Sequence, residues 1–96
     1  MSSVTLVSSG KHPLKPLIQS ALESEVRLIE SGLQKSQARL SAFEEKYGLL
    51  TQVFLQKYRD NQLEETLDFD EWIGEHRMLE RLQEKALILR ELRFAD

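Results

Sequence analysis

No cysteine occurs in the 96 residues of the chain, so disulfides, thiolate metal sites and cysteine nucleophiles are all excluded. That absence fits a reducing compartment without requiring one, since many exported proteins also lack cysteine. Histidine is nearly absent too. A hydrolytic or transfer enzyme needs a nucleophile, a base and a group that stabilises developing charge. His12 stands beside Pro13 with no acidic residue near it in sequence to orient it, and His76 follows Trp72 by four residues at the edge of a packing stripe. Dinuclear sites in four-helix proteins use Glu-x-x-His, whereas Glu75 and His76 are adjacent and point about 100° apart on a helix. We therefore assign no catalytic residue, no cofactor and no metal ligand. No run approaches the roughly 18 apolar residues of a membrane span, and the amino terminus has no basic–apolar–small signal layout. The expectation is a soluble cytoplasmic protein without a membrane partner.

A large excess of charge of one sign is also missing. The formal net charge is −3, but it is unevenly placed. From Asp60 to Glu75 the chain carries Asp60, Glu64, Glu65, Asp68, Asp70, Glu71 and Glu75 and no lysine or arginine. Lys11, His12 and Lys15 precede this stretch, and Arg77, Arg81, Lys85, Arg90 and Arg93 follow it, interspersed with glutamates. Such a field repels free nucleic acid and suits a basic protein partner. Phe43, Tyr47, Phe54, Tyr58, Phe69 and Trp72 crowd the middle third and are expected to form the hairpin's core, since aromatic side chains carry large buried area; the alternative is that part of this cluster is an exposed anchor. The acidic residues, with Trp72 on that alternative, are the candidate partner-binding set, because acidic rims around aromatic anchors recur at protein interfaces.

What the chain does have is a seven-residue apolar repeat. One seam reads Leu22, Ile29, Ser36, Phe43, Leu50 and the other Val26, Leu33, Leu40, Tyr47. Alternating steps of four and three keep one stripe of a helix against another helix. A second series, Trp72, Glu75, Leu79, Leu82, Ala86, Leu89, Arg93, follows a broken middle region. At this length a monomer buries roughly 60–65% of the surface that its unfolded chain exposes. Two long helices do not cover each other's apolar faces, so self-association is expected, with Leu22, Val26, Ile29, Leu33 and Leu40 as the dimer seam.

Residues 1–13 read as a flexible tail and 14–96 as a single helical domain. Val4-Thr5-Leu6-Val7 have strand propensity, but Gly10 and Pro13 break regular structure after them. A first helix is expected from Pro13–Pro16 to about Lys46, since proline is tolerated in a first turn. Gly32 and Ser36 in it either admit close helix approach or mark a bend. Gly48 is expected to end the helix in the left-handed conformation. Thr51 is expected to cap a short helix from Gln52 to about Asp60, and Asp60-Asn61 signals a turn. A third helix should run from Phe69 to about Phe94, with Asp68 as its cap and Glu71 at the capping-box position.

The segment Phe43-Glu44-Glu45-Lys46-Tyr47-Gly48-Leu49, then Val53-Phe54-Leu55 with Tyr58, then Leu67-Asp68-Phe69 with Trp72, resembles a recurrent pattern in short helical proteins of prokaryotes. Some of these are similar to antitoxins encoded beside small toxins. The resemblance spans about residues 40–92, and departs from the usual form at Leu50-Thr51-Gln52, where related chains place a polar cap followed by acidic residues. It implies a binding module that holds a partner protein, and it supplies no catalytic residue.

The expected architecture is thus all-α: a long helix, a short helix and a long helix in a helical hairpin that dimerises through the long helices, a four-helix arrangement being one form of that dimer. The expected function is non-enzymatic protein–protein interaction, as an antitoxin-like subunit neutralising a basic toxin partner. The competing readings are a structural or regulatory homodimer without such a partner, and a DNA-binding regulator with residues 3–8 as a ribbon. That ribbon has no lysine, arginine, asparagine or glutamine to reach base edges.

Overall fold

The computed structural model describes residues 3–7, 10 and 13–92. Lys11, His12 and Ser8 of the tail, and Arg93 and Phe94 after the last helix, lie outside the described residues. Residues 3–7 form no strand and their side chains are exposed. Three helices follow: α1, Leu14–Tyr47; α2, Thr51–Arg59; and α3, Leu67–Glu91.

α1 begins directly after Pro13, which is extended, and runs 34 residues without a break, about 50 Å at 1.5 Å per residue. It stops at Gly48, whose φ of 63° and ψ of 30° are left-handed. The Gly48 N–H donates to the Glu44 carbonyl, closing the end that the sequence placed there. A Cβ at this φ is strained, so Gly48→Ala is expected to lower stability by about 1 kcal/mol. Chemical denaturation measures this, and an unchanged midpoint would show that the turn tolerates a side chain.

The cap of α2 differs from expectation. Leu50 is its N-cap and makes no side-chain cap bond. Thr51 is already helical, and its backbone N–H donates to the Glu44 carboxylate at 2.7 Å. Glu44 reaches over from the last turn of α1 and serves the helix start from outside. This leaves the Thr51 hydroxyl to accept a hydrogen bond elsewhere. α2 ends at Arg59 with Asp60 as its C-cap, and Asn61 turns the chain with a φ of 55°, a conformation that asparagine tolerates better than most residues.

The cap of α3 is also corrected. The helix starts two residues earlier than expected, and Thr66, whose Oγ1 accepts from Phe69 N at 3.1 Å, is the N-cap. Asp68 lies inside the first turn, where its charge still suits the positive helix end, but its carboxylate is directed to α1. At the other end the helix stops at Glu91. Leu92 is extended and sits beside Leu22 and Val26.

α1 and α3 pack antiparallel, with Lys46 meeting Asp68, Arg39 meeting Glu75, and Leu82 lying over Gly32. A Cβ on Gly32 would sit 3.0 Å from Leu82 Cδ1, so this glycine admits close approach and the helix does not break there. The apolar repeat is therefore a seam within the chain. Ile29, Ser36 and Leu40 are buried along it, Leu22, Leu33, Phe43 and Tyr47 are half-buried, and Val26 and Leu50 are exposed. Leu50 falls past Gly48, so it leaves the stripe although its spacing continues it.

The core is concentrated at one end of the hairpin. Leu40, Phe54, Leu55 and Trp72 form the buried cluster, with Phe43, Tyr47, Leu49, Tyr58, Leu63, Phe69, Ile73 and Leu79 packed on it. α2 closes this end. Towards the open end, among the described residues, only Ile29 is a buried hydrophobic side chain. The result is a rod of 60 × 25 × 18 Å with a radius of gyration of 19.1 Å, against about 12–13 Å for a compact chain of this length.

Candidate interaction surface

The closed end is organised by Trp72. Its indole stacks on Phe54 with ring centroids 3.8 Å apart and planes 2° apart, and on Phe43 at 5.5 Å and 11°. Tyr47 stacks on it at 5.8 Å, and Phe69 meets it at a tilt. Burying an indole leaves one donor to satisfy. Nε1 donates to the Thr51 hydroxyl at 3.0 Å, which is the use that freed Thr51 from capping. Trp72 and Phe54 are the largest fully buried side chains among the described residues. Trp72 is thus the centre of the core and presents no surface to a partner in this fold.

The acidic stretch divides into two sets. Asp60, Glu64, Glu65, Asp70 and Glu71 are exposed; Asp60 accepts from Gln56 Nε2 at 3.2 and 3.3 Å, one turn back. Asp68 and Glu75 are engaged by α1. Lys46 Nζ lies 2.6 Å from Asp68 Oδ2, and the Tyr47 hydroxyl donates to the same oxygen. Arg39 Nη1 lies 2.9 Å from Glu75 Oε1, while Glu75 Oε2 is buried with no partner among the described residues. In sequence the run contains no basic residue. In the fold, two cations from α1 sit against it.

The bonds from Lys46 and then from Tyr47 hold the Asp68 carboxyl below the usual carboxylate range, against a smaller opposing effect of burial. The bond to Asp68, followed by its charge, raises Lys46; the same bond, followed by burial, raises the Tyr47 phenol. A lowered carboxyl contributes stability that is present above its unfolded value of about 3.9 and lost as pH falls through the folded value. The raised Lys46 and Tyr47 contribute stability present below their unfolded values of about 10 and lost as pH rises through the folded ones. Asp68→Asn is therefore expected to be destabilising at neutral pH, with the difference from the parent protein shrinking below about pH 4. Melting temperatures across that range check this, and a difference as large at pH 3 as at pH 7 would contradict the assignment.

His76 is half-buried, with Nε2 3.3 Å from Glu80 one turn on. Arg27 donates to the Ser24 hydroxyl at 3.1 Å. Among the described residues no group of histidine and carboxylate side chains is placed to hold a metal ion, and no helix is long and apolar enough to cross a membrane.

Between the long helices at the closed end lies an open cleft of about 640 Å³. α1 supplies Arg39, Ala42, Phe43 and Lys46, and α3 supplies Glu71, Gly74, Glu75 and Met78. Of these only Glu71 and Glu75 stood out in the sequence as partner-binding candidates. The signals for the others were faint: Arg39 and Lys46 share a helix face seven residues apart, and Gly74 is a glycine in a helix interior. A second cleft near the open end has Leu22, Val26, Leu89 and Leu92 among its lining, beside Gln19, Glu23, Arg27 and Glu30. No family model, curated protein or solved structure matches the chain.

Proposed function

We propose that this protein is a non-enzymatic interaction module of the cytoplasm, a homodimer joined through its long helices, whose acidic end neutralises a basic protein partner in the manner of an antitoxin subunit. One observation carries the reading. The hairpin completes its core at one end only, and large apolar side chains stand exposed along the rest, among them Leu17, Leu28, Leu87 and Ile88. A rod with so little of its apolar surface covered is built to be covered by something else.

The charge distribution supports a basic partner. Asp60, Glu64, Glu65, Asp70 and Glu71 remain exposed at the closed end after Asp68 and Glu75 are taken up by Lys46 and Arg39. Long-range attraction from such a patch raises the association rate of a basic protein and is screened by salt. Occupying the basic cleft of a toxin or regulator with this end would exclude its substrate.

Recovery of the native partner by affinity, followed by the mass of the complex, tests the reading. With that partner in hand, converting Glu64, Glu65 and Asp70 to their amides is expected to slow association and flatten its salt dependence. The dimer's own mass should not change, because these side chains lie in the loop and first turn of α3, away from the seam. An association rate insensitive to both salt and these substitutions would end the steering claim.

A further inference from the structure

The cleft at the closed end has a feature that the chain's own pairs, Arg39 with Glu75 and Lys46 with Asp68, use only in part. Its two walls are oppositely charged: Arg39 and Lys46 stand on the α1 side, and Glu71 and Glu75 on the α3 side. Between them the floor is apolar or small, formed by Ala42, Phe43, Gly74 and Met78, and α2 lines none of it. Arg39 meets Glu75 through Nη1 alone, and its side chain remains 63% exposed. Gly74 weakens the interior of α3, since glycine is a poor helix former. Unlike Gly32, it has no internal reason to be small: a Cβ there would meet nothing within 4 Å. The room beside Gly74 faces outward.

The geometry points to a second copy of this chain as the occupant of the cleft, in a two-fold dimer whose axis runs along the rods. This rests on the homodimer reading above and specifies its contact face. The charges select the axis. Rotation about a line parallel to the rods lays α1 of the partner over α3 at the same height. The basic wall of each copy then meets the acidic wall of the other, twice by symmetry. A two-fold axis across the rods instead lays α1 over α1, with Arg39 and Lys46 facing their own copies, and like charges oppose the contact. Because α1 and α3 already run antiparallel within the chain, the first arrangement makes every neighbouring pair of helices antiparallel, as in an up-and-down four-helix bundle.

Size agrees. A lasting interface takes about 800 Å² from each partner. A strip one to two helix diameters wide, about 10–20 Å, brackets that value along the 60 Å rod. Leu28 and Leu17 continue the Arg39 face of α1, three and six helical turns before it, and each is 68% exposed. They extend the contact towards the open end with apolar surface.

Sedimentation equilibrium of the full chain tests the arrangement. The parent protein should be dimeric. Arg39→Glu and Glu71→Lys, each alone, should raise the dimer dissociation constant about tenfold or more, because each sets like charges against each other at both copies of the contact. An equal mixture of the two variants should restore a dimer of mixed composition, in which every reversed wall meets its match. That rescue separates loss of contact from loss of fold, since Arg39→Glu also breaks the internal pair with Glu75. Gly74→Gln fills the cleft while favouring the helix, so the dimer should be lost while the helical circular dichroism of the chain is retained. Variants that all stay dimeric would overturn this face and leave the homodimer standing. A parent protein monomeric at its highest soluble concentration would overturn the homodimer and this arrangement together.

Discussion

Trp72→Ala is expected to lower stability by about 3–5 kcal/mol, the usual range for removing a large buried aromatic side chain. A domain of this kind has about 5–15 kcal/mol in total, so the loss takes from about a fifth to nearly all of that margin. Three contributions are lost together. The indole is fully buried, and its stacks on Phe54, Phe43 and Tyr47 join α2 and α1 to α3. Its removal leaves a cavity between three helices, and it strips the buried Thr51 hydroxyl of its donor. Trp72→Phe separates these effects. It keeps an aromatic ring in the stack and removes the indole N–H, so its cost should be nearer the 1–3 kcal/mol of one buried polar group left unpaired. Urea unfolding of both variants measures the difference. A Trp72→Ala protein with an unchanged midpoint would show that the indole is not the centre of the core.

Ile29→Asp is the second large effect. Ile29 is 4% exposed and, among the described residues, is the one buried hydrophobic side chain outside the Trp72 cluster. Burying an unpaired carboxylate there is expected to cost several kcal/mol. The damage should be local at first. α2 closes the other end of the hairpin, so hydrogen exchange should quicken in the first half of α1 and the last third of α3 while the amides around Leu40, Phe54 and Trp72 stay protected. Leu28→Asp, one residue away on an exposed face, should hardly affect the folded monomer. Equal loss of protection along the whole rod would show that the two ends unfold as one unit. An unchanged melting curve would show that the apolar repeat is not a packing seam.

Much of the helical layout was legible in the sequence because its signals are local. The four–three spacing of apolar residues marks the inner face of α1 wherever the helix packs, and Gly48 ends it because a left-handed turn is strained for any residue with a Cβ. The Asp60-Asn61 turn and the long–short–long order follow from similar short-range chemistry. Such signals do not specify what a seam packs against. Ile29 and Leu40 meet α3 of their own chain, and the same spacing equally suits a second molecule.

Only the tertiary structure decided the rest, because it depends on the register in which α3 lies against α1. That register brings Lys46 to Asp68 across 22 residues and Arg39 to Glu75 across 36, dividing an acidic run that is uniform in sequence into an exposed set and a paired set. It places Thr51 under the Trp72 indole, 21 residues away, so the residue best suited to cap α2 satisfies the core instead, and Glu44 takes over the cap. With Asp68 turned to Lys46 and Tyr47, Thr66 becomes the cap of α3. Composition and periodicity thus determined the helices and their apolar faces. Which polar group meets which, and where a charged cleft opens between the helices, was settled by packing, since a side chain's partner is chosen by distance in space and not by spacing along the chain.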